Sequence, residues 1–324
     1  MRGARLRIGT RSSALALWQT ERIRDLLRRA GCETERLEIK TTGDLTPDVP
    51  LTQIGGRALF TKQIDDALVQ GRIDLAVHSL KDLPTQLPQG IAIAAISARE
   101  DPRDALVGRG PLRWSDLPHG AVVGTSSLRR RAQLLHLRPD LMVVDLRGNV
   151  DSRLAKLDSR PDWTAIVLAS AGLIRLGQEK RIGERLTPET MLPAPGQGAL
   201  AVTVRTDEAK VQAQLRRAVH HEASALAVTA ERAFLRRLEG GCQVPVAALA
   251  EVKTTGKRQN LHLYGRVVSL GGEQAVNGQE VGPIASEAAA AELGTALADR
   301  LLAEGAATIL AEVRSTVFPP VAEP

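Results

Sequence analysis

Two glycines precede Cys242 in Leu238-Glu239-Gly240-Gly241-Cys242-Gln243-Val244-Pro245, where a helical pattern gives way to a strand pattern. Glycines remove Cβ bulk and let backbone and ligand approach closely. A thiol presented there can serve as a nucleophile or as an attachment point, and a small buried residue in a tight turn accounts for the same letters. Elsewhere, cations gather where short strands meet helices. In Gly124-Thr125-Ser126-Ser127-Leu128-Arg129-Arg130-Arg131 the arginines fall in a first helical turn. There each opposes the macrodipole by about 0.3–1 kcal/mol unless something compensates. A bound anion would reverse that penalty, because free N–H groups, hydroxyls and guanidiniums would converge on it; a solvated basic turn is the plainer alternative. Asp145-Leu146-Arg147-Gly148-Asn149-Val150-Asp151-Ser152-Arg153 repeats the arrangement, and Arg11 with Ser13 occupies the same place after the first strand. Lys81-Asp82 also follows a strand. An aspartate near several cations stays ionised at neutral pH; it can stabilise a cationic intermediate, relay a proton, or simply close a salt bridge. Together the three Arg-bearing turns point to an extended anionic ligand.

Composition narrows the classes. The 324 residues exceed what one core usually supports, so two or three domains are expected. Hydrophobic residues make up 43% and aromatics only 2%, so the core must be aliphatic and stacking platforms for single-stranded nucleic acid are scarce. The net charge is +6, and arginine, which dominates the cations, grips carboxylate and phosphate bidentately. Two distant cysteines make no disulfide framework, which fits a reducing cytoplasm. No apolar run reaches the length of a membrane span, and Met1 to Leu17 lacks a signal-peptide core. The six histidines have no zinc-ligand spacing, so no metal is expected. There is no P-loop and no G-x-S-x-G elbow. Gly196-Gln197-Gly198-Ala199-Leu200-Ala201 matches a dinucleotide fingerprint in letters, but its strand comes afterwards instead of before, so that reading is rejected.

The elements that must carry these residues alternate. Strands are expected at Leu6–Thr10, Leu37–Lys40, Ile73–Val77, Ile91–Ile96, Ala121–Gly124, Leu141–Leu146 and Ala165–Ala169. Helices are expected at Ala14–Arg29, capped by Ser12 or Ser13 and ended by Gly31, and at Ala58–Gln70, Ser127–Leu137 and Val150–Leu157. Such alternation indicates parallel sheets covered on both faces. Thr41 to Arg57 is a long polar stretch of the kind that forms lids or links. Ser97–Asp104 is a crossover, and the strand Leu200–Val204 returns the chain to the first domain. Val211–Leu238 is helical with a break at His220-His221. Strands at Val246–Val252, Leu261–Val268 and Gln274–Val281, then Ala-rich helices from Ile284 to Ala303, make a small α+β domain. Cys32, just past a helix cap, has a packing role.

The sequence resembles the porphobilinogen deaminase, or hydroxymethylbilane synthase, family nearly end to end. The resemblance is carried by Ile8–Ser13 with Leu15-Ala16-Leu17-Trp18-Gln19, Ala76–Pro84, Arg99–Ala105, Gly124–Arg130, Leu146–Val150, Pro193–Ala199 and Glu239–Pro245. It implies an α/β fold of two type II periplasmic-binding-protein-like lobes with mixed, mainly parallel sheets, plus a C-terminal α+β domain with a three-stranded antiparallel sheet. The implied divisions are 1–97 with 197–216 for the first lobe, 98–196 for the second, and 217–324 for the third domain. The implied reaction condenses four porphobilinogen molecules head to tail onto a dipyrromethane primer, releasing four ammonia and, on hydrolysis, hydroxymethylbilane. The dipyrromethane is held by thioether at the position matching Cys242. Asp82 matches the catalytic aspartate, beside the cationic azafulvene left when ammonia departs. Lys81, Thr125, Ser127, Arg129 and Arg130 match cofactor-binding positions. Arg11, Ser13, Gln19, Arg147, Arg153 and Gln197 match substrate-binding ones, which suits pyrroles that each bear an acetate and a propionate. Gly55, Gly56, Arg57 and Phe60 belong to the stretch matching a lid, where Arg57 and Ala58 depart from the Lys and Gly often found in the family. A cytoplasmic monomer without nucleic-acid or membrane partners is expected. The alternatives are a non-catalytic two-lobed binder of small organic anions, disfavoured by the Gly-Gly-Cys stretch, and a nucleic-acid binder, disfavoured by dispersed arginines.

Overall fold

The computed structural model describes residues 5–41, 61–238, 244–255 and 258–317. Cys242, Gly55, Gly56, Arg57, Phe60 and the rest of the expected lid lie outside the described residues.

The first lobe holds β1 (Leu6–Thr10), α1 (Ala14–Arg29), β2 (Thr34–Glu38), α2 (Lys62–Val69), β3 (Leu75–Ser79), a 3-10 turn (Leu80–Asp82) and β4 (Ile91–Ile96). The second holds β5 (Asp104–Val107), β6 (Val122–Gly124), α3 (Leu128–Leu137), β7 (Met142–Val144), α4 (Val150–Ser159), β8 (Ala165–Ala169), α5 (Ser170–Arg175) and β9 (Glu184–Arg185). The chain then returns through β10 (Leu200–Arg205) and α6 (Ala209–Val219) and ends in α7 (Glu222–Arg237), β11 (Val246–Thr255), β12 (Arg258–Val268), β13 (Ala275–Pro283), α8 (Glu287–Leu301) and α9 (Ala307–Val317).

Two five-stranded sheets repeat one plan. Their orders are β2-β1-β3-β10-β4 and β7-β6-β8-β5-β9. In each, the strand inserted next to the edge runs antiparallel to both neighbours, β10 against β3 and β4, and β5 against β8 and β9. That strand follows a crossover from the other lobe, so the two sheets interlock through two connections. The alternation expected of a doubly covered sheet is present. Leu75 and Val77 face one core of the first lobe while Ala76 faces the other. Ala165 and Val167 likewise alternate with Ile166 and Leu168. Because both faces are buried, these strands read as unbroken apolar runs.

Several boundaries move. β2 starts at Thr34, not Leu37: it is an edge strand paired through Leu6↔Thr34 to Thr10↔Glu38, and its polar, exposed residues hid it. β5 and β9 went unrecognised because they are short, as did the six-residue α5, and α9 lies past Ala303, where the expected helices ended. Ser13, rather than Ser12, caps α1 by accepting from the Ala16 N–H at 3.4 Å. The expected break falls at His220-His221, where the His221 ring accepts from the Ser224 N–H at 3.3 Å to open α7.

The third domain is the antiparallel meander β11-β12-β13, covered by α7 and α8 through Phe234, Leu263, Leu297 and Leu301, all fully buried. The two helices approach so closely that a Cβ on Gly294 would stand 2.2 Å from the Ala230 carbonyl oxygen. No helix among the described residues is long and apolar enough to cross a membrane.

Candidate active site

The site forms where the C-terminal ends of the parallel strands in both lobes meet the two crossovers, the usual ligand crevice of open α/β sheets. Ser127 caps α3 by accepting from the Arg130 N–H at 3.4 Å, and Asn149 caps α4 by accepting from the Ser152 N–H at 2.8 Å. Those caps fix the helix starts that display Arg129, Arg130 and Arg153. On the first lobe, Gln19 donates to the Ser79 hydroxyl at 2.8 Å, tying α1 to the end of β3 just before Lys81-Asp82.

The organising residue is one that sequence reasoning missed. Asp104 is wholly buried and takes Arg129 Nη1 on Oδ2 at 2.7 Å and Arg130 Nη2 on Oδ1 at 2.7 Å. Gln197 Nε2 reaches the same Oδ1 at 2.9 Å and the Pro102 carbonyl at 2.7 Å, while its Oε1 accepts from Lys81 Nζ at 3.2 Å. One network therefore joins both lobes and both crossovers. Burial alone would raise the Asp104 carboxyl, but the flanking Arg129 and Arg130 charges overcome it and hold it well below the usual carboxylate range. Arg129 and Arg130 also donate to the Leu192 carbonyl at 2.8 Å and the Val167 carbonyl at 2.9 Å. The arginine run expected as an anion cradle thus spends two guanidiniums on an internal carboxylate and on backbone. Thr125, also buried, accepts from the Ser127 N–H at 3.2 Å.

Asp82 is exposed, whereas Lys81 beside it is partly buried. Burial lowers the Lys81 amine to about 8, with Asp82 and Asp104 opposing and Arg130 and Arg129 assisting. Arg153, whose Nε donates to the Gly148 carbonyl at 2.8 Å, is lowered to about 10 by burial and by the neighbouring Arg130 and Arg147, with Asp82 opposing. Asp82 on one lobe thus lies in the field of Arg153 on the other. Arg11 acts on His78: after burial, it is the charge that lowers that ring to about 4, and the ring bonds to the Thr203 hydroxyl at 3.0 Å. Burial is the first cause of the Lys81 and Arg153 shifts and neighbouring cations add to it, so this cluster is a candidate place for an anion.

The crossovers are locked by a second buried carboxylate. Glu231 on α7 is fully buried and accepts from Arg99 at 2.6 and 3.1 Å, from the Gly196 N–H at 2.6 Å and from the Ala250 N–H at 2.7 Å. Gly198 has φ +89, and a Cβ there would stand 2.3 Å from the Glu100 carbonyl oxygen, so glycine is required where the crossovers touch. The Gly196–Gly198 segment is a turn into β10 and opens no helix. The lobes also meet where Arg175 of α5 lies 5.7 Å over the Trp18 ring of α1. Cys32 packs against the first lobe's core. Arg99 and Asp104 lie in the Arg99–Ala105 stretch that carries the resemblance, but nothing local gave their pairing or that of Glu231, because a buried ion pair is defined by partners distant in sequence.

Residues 6–213 match the family model described as porphobilinogen deaminase, dipyromethane cofactor binding domain, and residues 225–303 match the porphobilinogen deaminase C-terminal domain. The chain belongs to the porphobilinogen deaminase family. It is 49% identical over 310 residues to the porphobilinogen deaminase of Geotalea daltonii, covering 95% of this chain and 94% of that one. It is 48% identical over 311 residues to that of Syntrophomonas wolfei, covering 95% and 99%. Among solved structures, it resembles a periplasmic substrate-binding protein of an ABC transporter from Coxiella burnetii (TM-score 0.41, 14% identity, 65% of this chain and 90% of that one). It also resembles a lipoprotein from Actinomyces odontolyticus (TM-score 0.42, 14% identity, 68% and 92%). At those scores the likeness carries no weight of its own, and the strand order repeated in the two sheets stands for the two-lobed fold.

Proposed function

We propose that Asp82 is the catalytic group and Cys242 the attachment point of the dipyrromethane cofactor, with Lys81, Thr125, Ser127, Arg129 and Arg130 on the cofactor's side. Arg11, Ser13, Gln19, Arg147, Arg153 and Gln197 are assigned to the substrate, and Gly55, Gly56, Arg57 and Phe60 to a lid. The chain is a transferase of tetrapyrrole biosynthesis that joins four porphobilinogen molecules head to tail, releasing four ammonia and yielding hydroxymethylbilane on hydrolysis. Nothing favours the alternative of a non-catalytic anion binder.

The observation that carries the residue assignment is the exposed Asp82 carboxylate lying in the fields of Lys81 and Arg153, which belong to opposite lobes. Cations that depress one another fit a group bearing several carboxylates, since each carboxylate bound relieves the repulsion. When bound, the dipyrromethane supplies the free pyrrole α-carbon to which units are added. Arg147 and Arg153 hold the acetate and propionate arms of the substrate and so orient the incoming ring, while Lys81 holds an arm of the cofactor. Asp82 stabilises the positive charge that develops as ammonia leaves and accepts hydrogen bonds from pyrrole N–H groups; it also receives the proton lost when the new linkage becomes aromatic again. The two crossovers, tied to each other and to α7 through Glu231, keep the two halves of this arrangement in register.

The lobe divisions 1–97 with 197–216, 98–196 and 217–324 are proposed with it, as is a cytoplasmic monomer, for which light scattering should return the mass of one chain. The assignment is tested by intact mass and turnover. Cys242→Ser should lose the dipyrromethane adduct, and Asp82→Ala should keep the adduct and lose bilane formation. Near-normal turnover by Asp82→Ala would remove Asp82 from the reaction.

A further inference from the structure

The 3-10 turn that presents Asp82 spans only Leu80–Asp82 and closes with the Leu83 N–H on the Leu80 carbonyl at 3.1 Å. The next residue is Pro84, which has no N–H with which to extend it. The turn stops there, and the carbonyls of Leu83, Pro84 and Thr85 take their partners from another element. Arg232 of α7 supplies them. Its Nη1 donates to the Leu83 carbonyl at 3.4 Å, and its Nη2 donates to those of Pro84 at 2.8 Å and Thr85 at 3.3 Å. The same helix supports the turn through apolar contacts, since Leu80 and Leu83, which flank Lys81-Asp82, share one buried cluster with Ala225 and Val228. Ala225, Val228 and Arg232 recur at i, i+3 and i+7, so they form one stripe along α7. Glu231 of the same helix clamps the crossovers. The helix ends at Arg237, five residues before Cys242.

We propose that Arg232 is a positioning residue for the reaction: its guanidinium sets the turn that aims Asp82 and couples that turn to the helix leading into the cofactor-bearing segment. The inference rests on the reading of Asp82 as the catalytic group. A planar fork satisfying three successive carbonyls fixes the turn's orientation as well as its place, which a single ammonium cannot do. Displacing a reacting group by about 1 Å can cost roughly 100-fold in rate.

The test uses the holoenzyme. Arg232→Gln should keep the dipyrromethane adduct by intact mass, lower kcat by roughly 10- to 100-fold and leave KM within about threefold. Arg232→Lys should recover part of kcat. Val228→Ala, which removes only packing beneath the turn, should lower Tm while kcat per adduct-bearing molecule stays near wild type. Wild-type kcat in Arg232→Gln overturns the proposal, and so does a loss that only tracks the fraction carrying the adduct. An equal loss of kcat in Val228→Ala also overturns it, since general loosening would then explain the effect. If Arg232→Gln is unimpaired while Asp82→Ala is dead, this inference alone fails; if Asp82→Ala turns over normally, the underlying reading fails.

Discussion

Asp104→Asn removes one buried negative charge and keeps the side chain's shape. The carboxylate is fully buried and both arginine partners are nearly so, with relative side-chain exposures of 6%. Taking one partner out of a buried ion pair usually costs about 3–5 kcal/mol, because the remaining charge is left uncompensated. Asn retains one acceptor oxygen for Arg130 or Gln197, so the lower end, about 3 kcal/mol, is expected here. That should lower Tm by roughly 6–12 °C if the two interlocked lobes unfold together, measured by calorimetry. Adding Arg129→Met should recover part of the loss, giving a coupling above about 1 kcal/mol in the double-mutant cycle. The pH dependence has a definite sign. Because the folded Asp104 carboxyl titrates below its ordinary range, its stabilisation is present above the ordinary carboxylate value and lost as pH falls below it. Wild type should therefore lose stability more steeply than Asp104→Asn on acidification below that value. Asp104 also holds the Lys81 amine up toward about 8, so the variant's alkaline limb in kcat/KM should shift to lower pH. A Tm within about 1 °C of wild type, with an unchanged pH profile, would refute the claim that Asp104 organises the site.

Two further outcomes follow from the geometry. Gly198→Ala combines a positive φ with a Cβ 2.3 Å from the Glu100 carbonyl oxygen, so it should destabilise by about 1–3 kcal/mol, visible as a lower urea midpoint; an unchanged midpoint would mean the crossovers do not need that contact. His78 is lowered from 6.5 to about 4, so the unfolded chain binds its proton first, and stability should fall by up to about 3 kcal/mol as pH drops through that window. His78→Gln should flatten the curve between those pH values, and parallel curves for the two proteins would show that His78 is not the cause.

Much of the plan was legible because it depends on local chemistry. The aliphatic runs of β3 and β8 had to be strands buried on both faces. Ser13, Ser127 and Asn149 lie where helix starts need an oxygen acceptor, and Pro193-Ala194-Pro195-Gly196 could not continue an element. The order of the chemistry-bearing turns also carried the family resemblance. The second strand was expected at Leu37–Lys40 and its start at Thr34 escaped, because Thr34-Glu35-Arg36 on an edge strand lacks the apolar period that marks a strand. β5 and β9 escaped because two to four residues are too few to show one.

The amino-acid sequence by itself determined that this chain forms alternating α/β lobes, places arginines at strand ends and belongs with enzymes that handle carboxylate-bearing pyrroles. Periodicity, capping and motif order act over a few residues, and so they survive in the linear text. Only the tertiary structure decided how those cations divide. Asp104 takes Arg129 and Arg130, Glu231 takes Arg99, and Arg232 takes the carbonyls after Asp82, while Lys81 and Arg153, from opposite lobes, both feel the Asp82 carboxylate. Those pairings join residues up to 149 positions apart. They exist because desolvated charges must find partners once burial removes water, and the sequence does not spell out which partner burial will bring near.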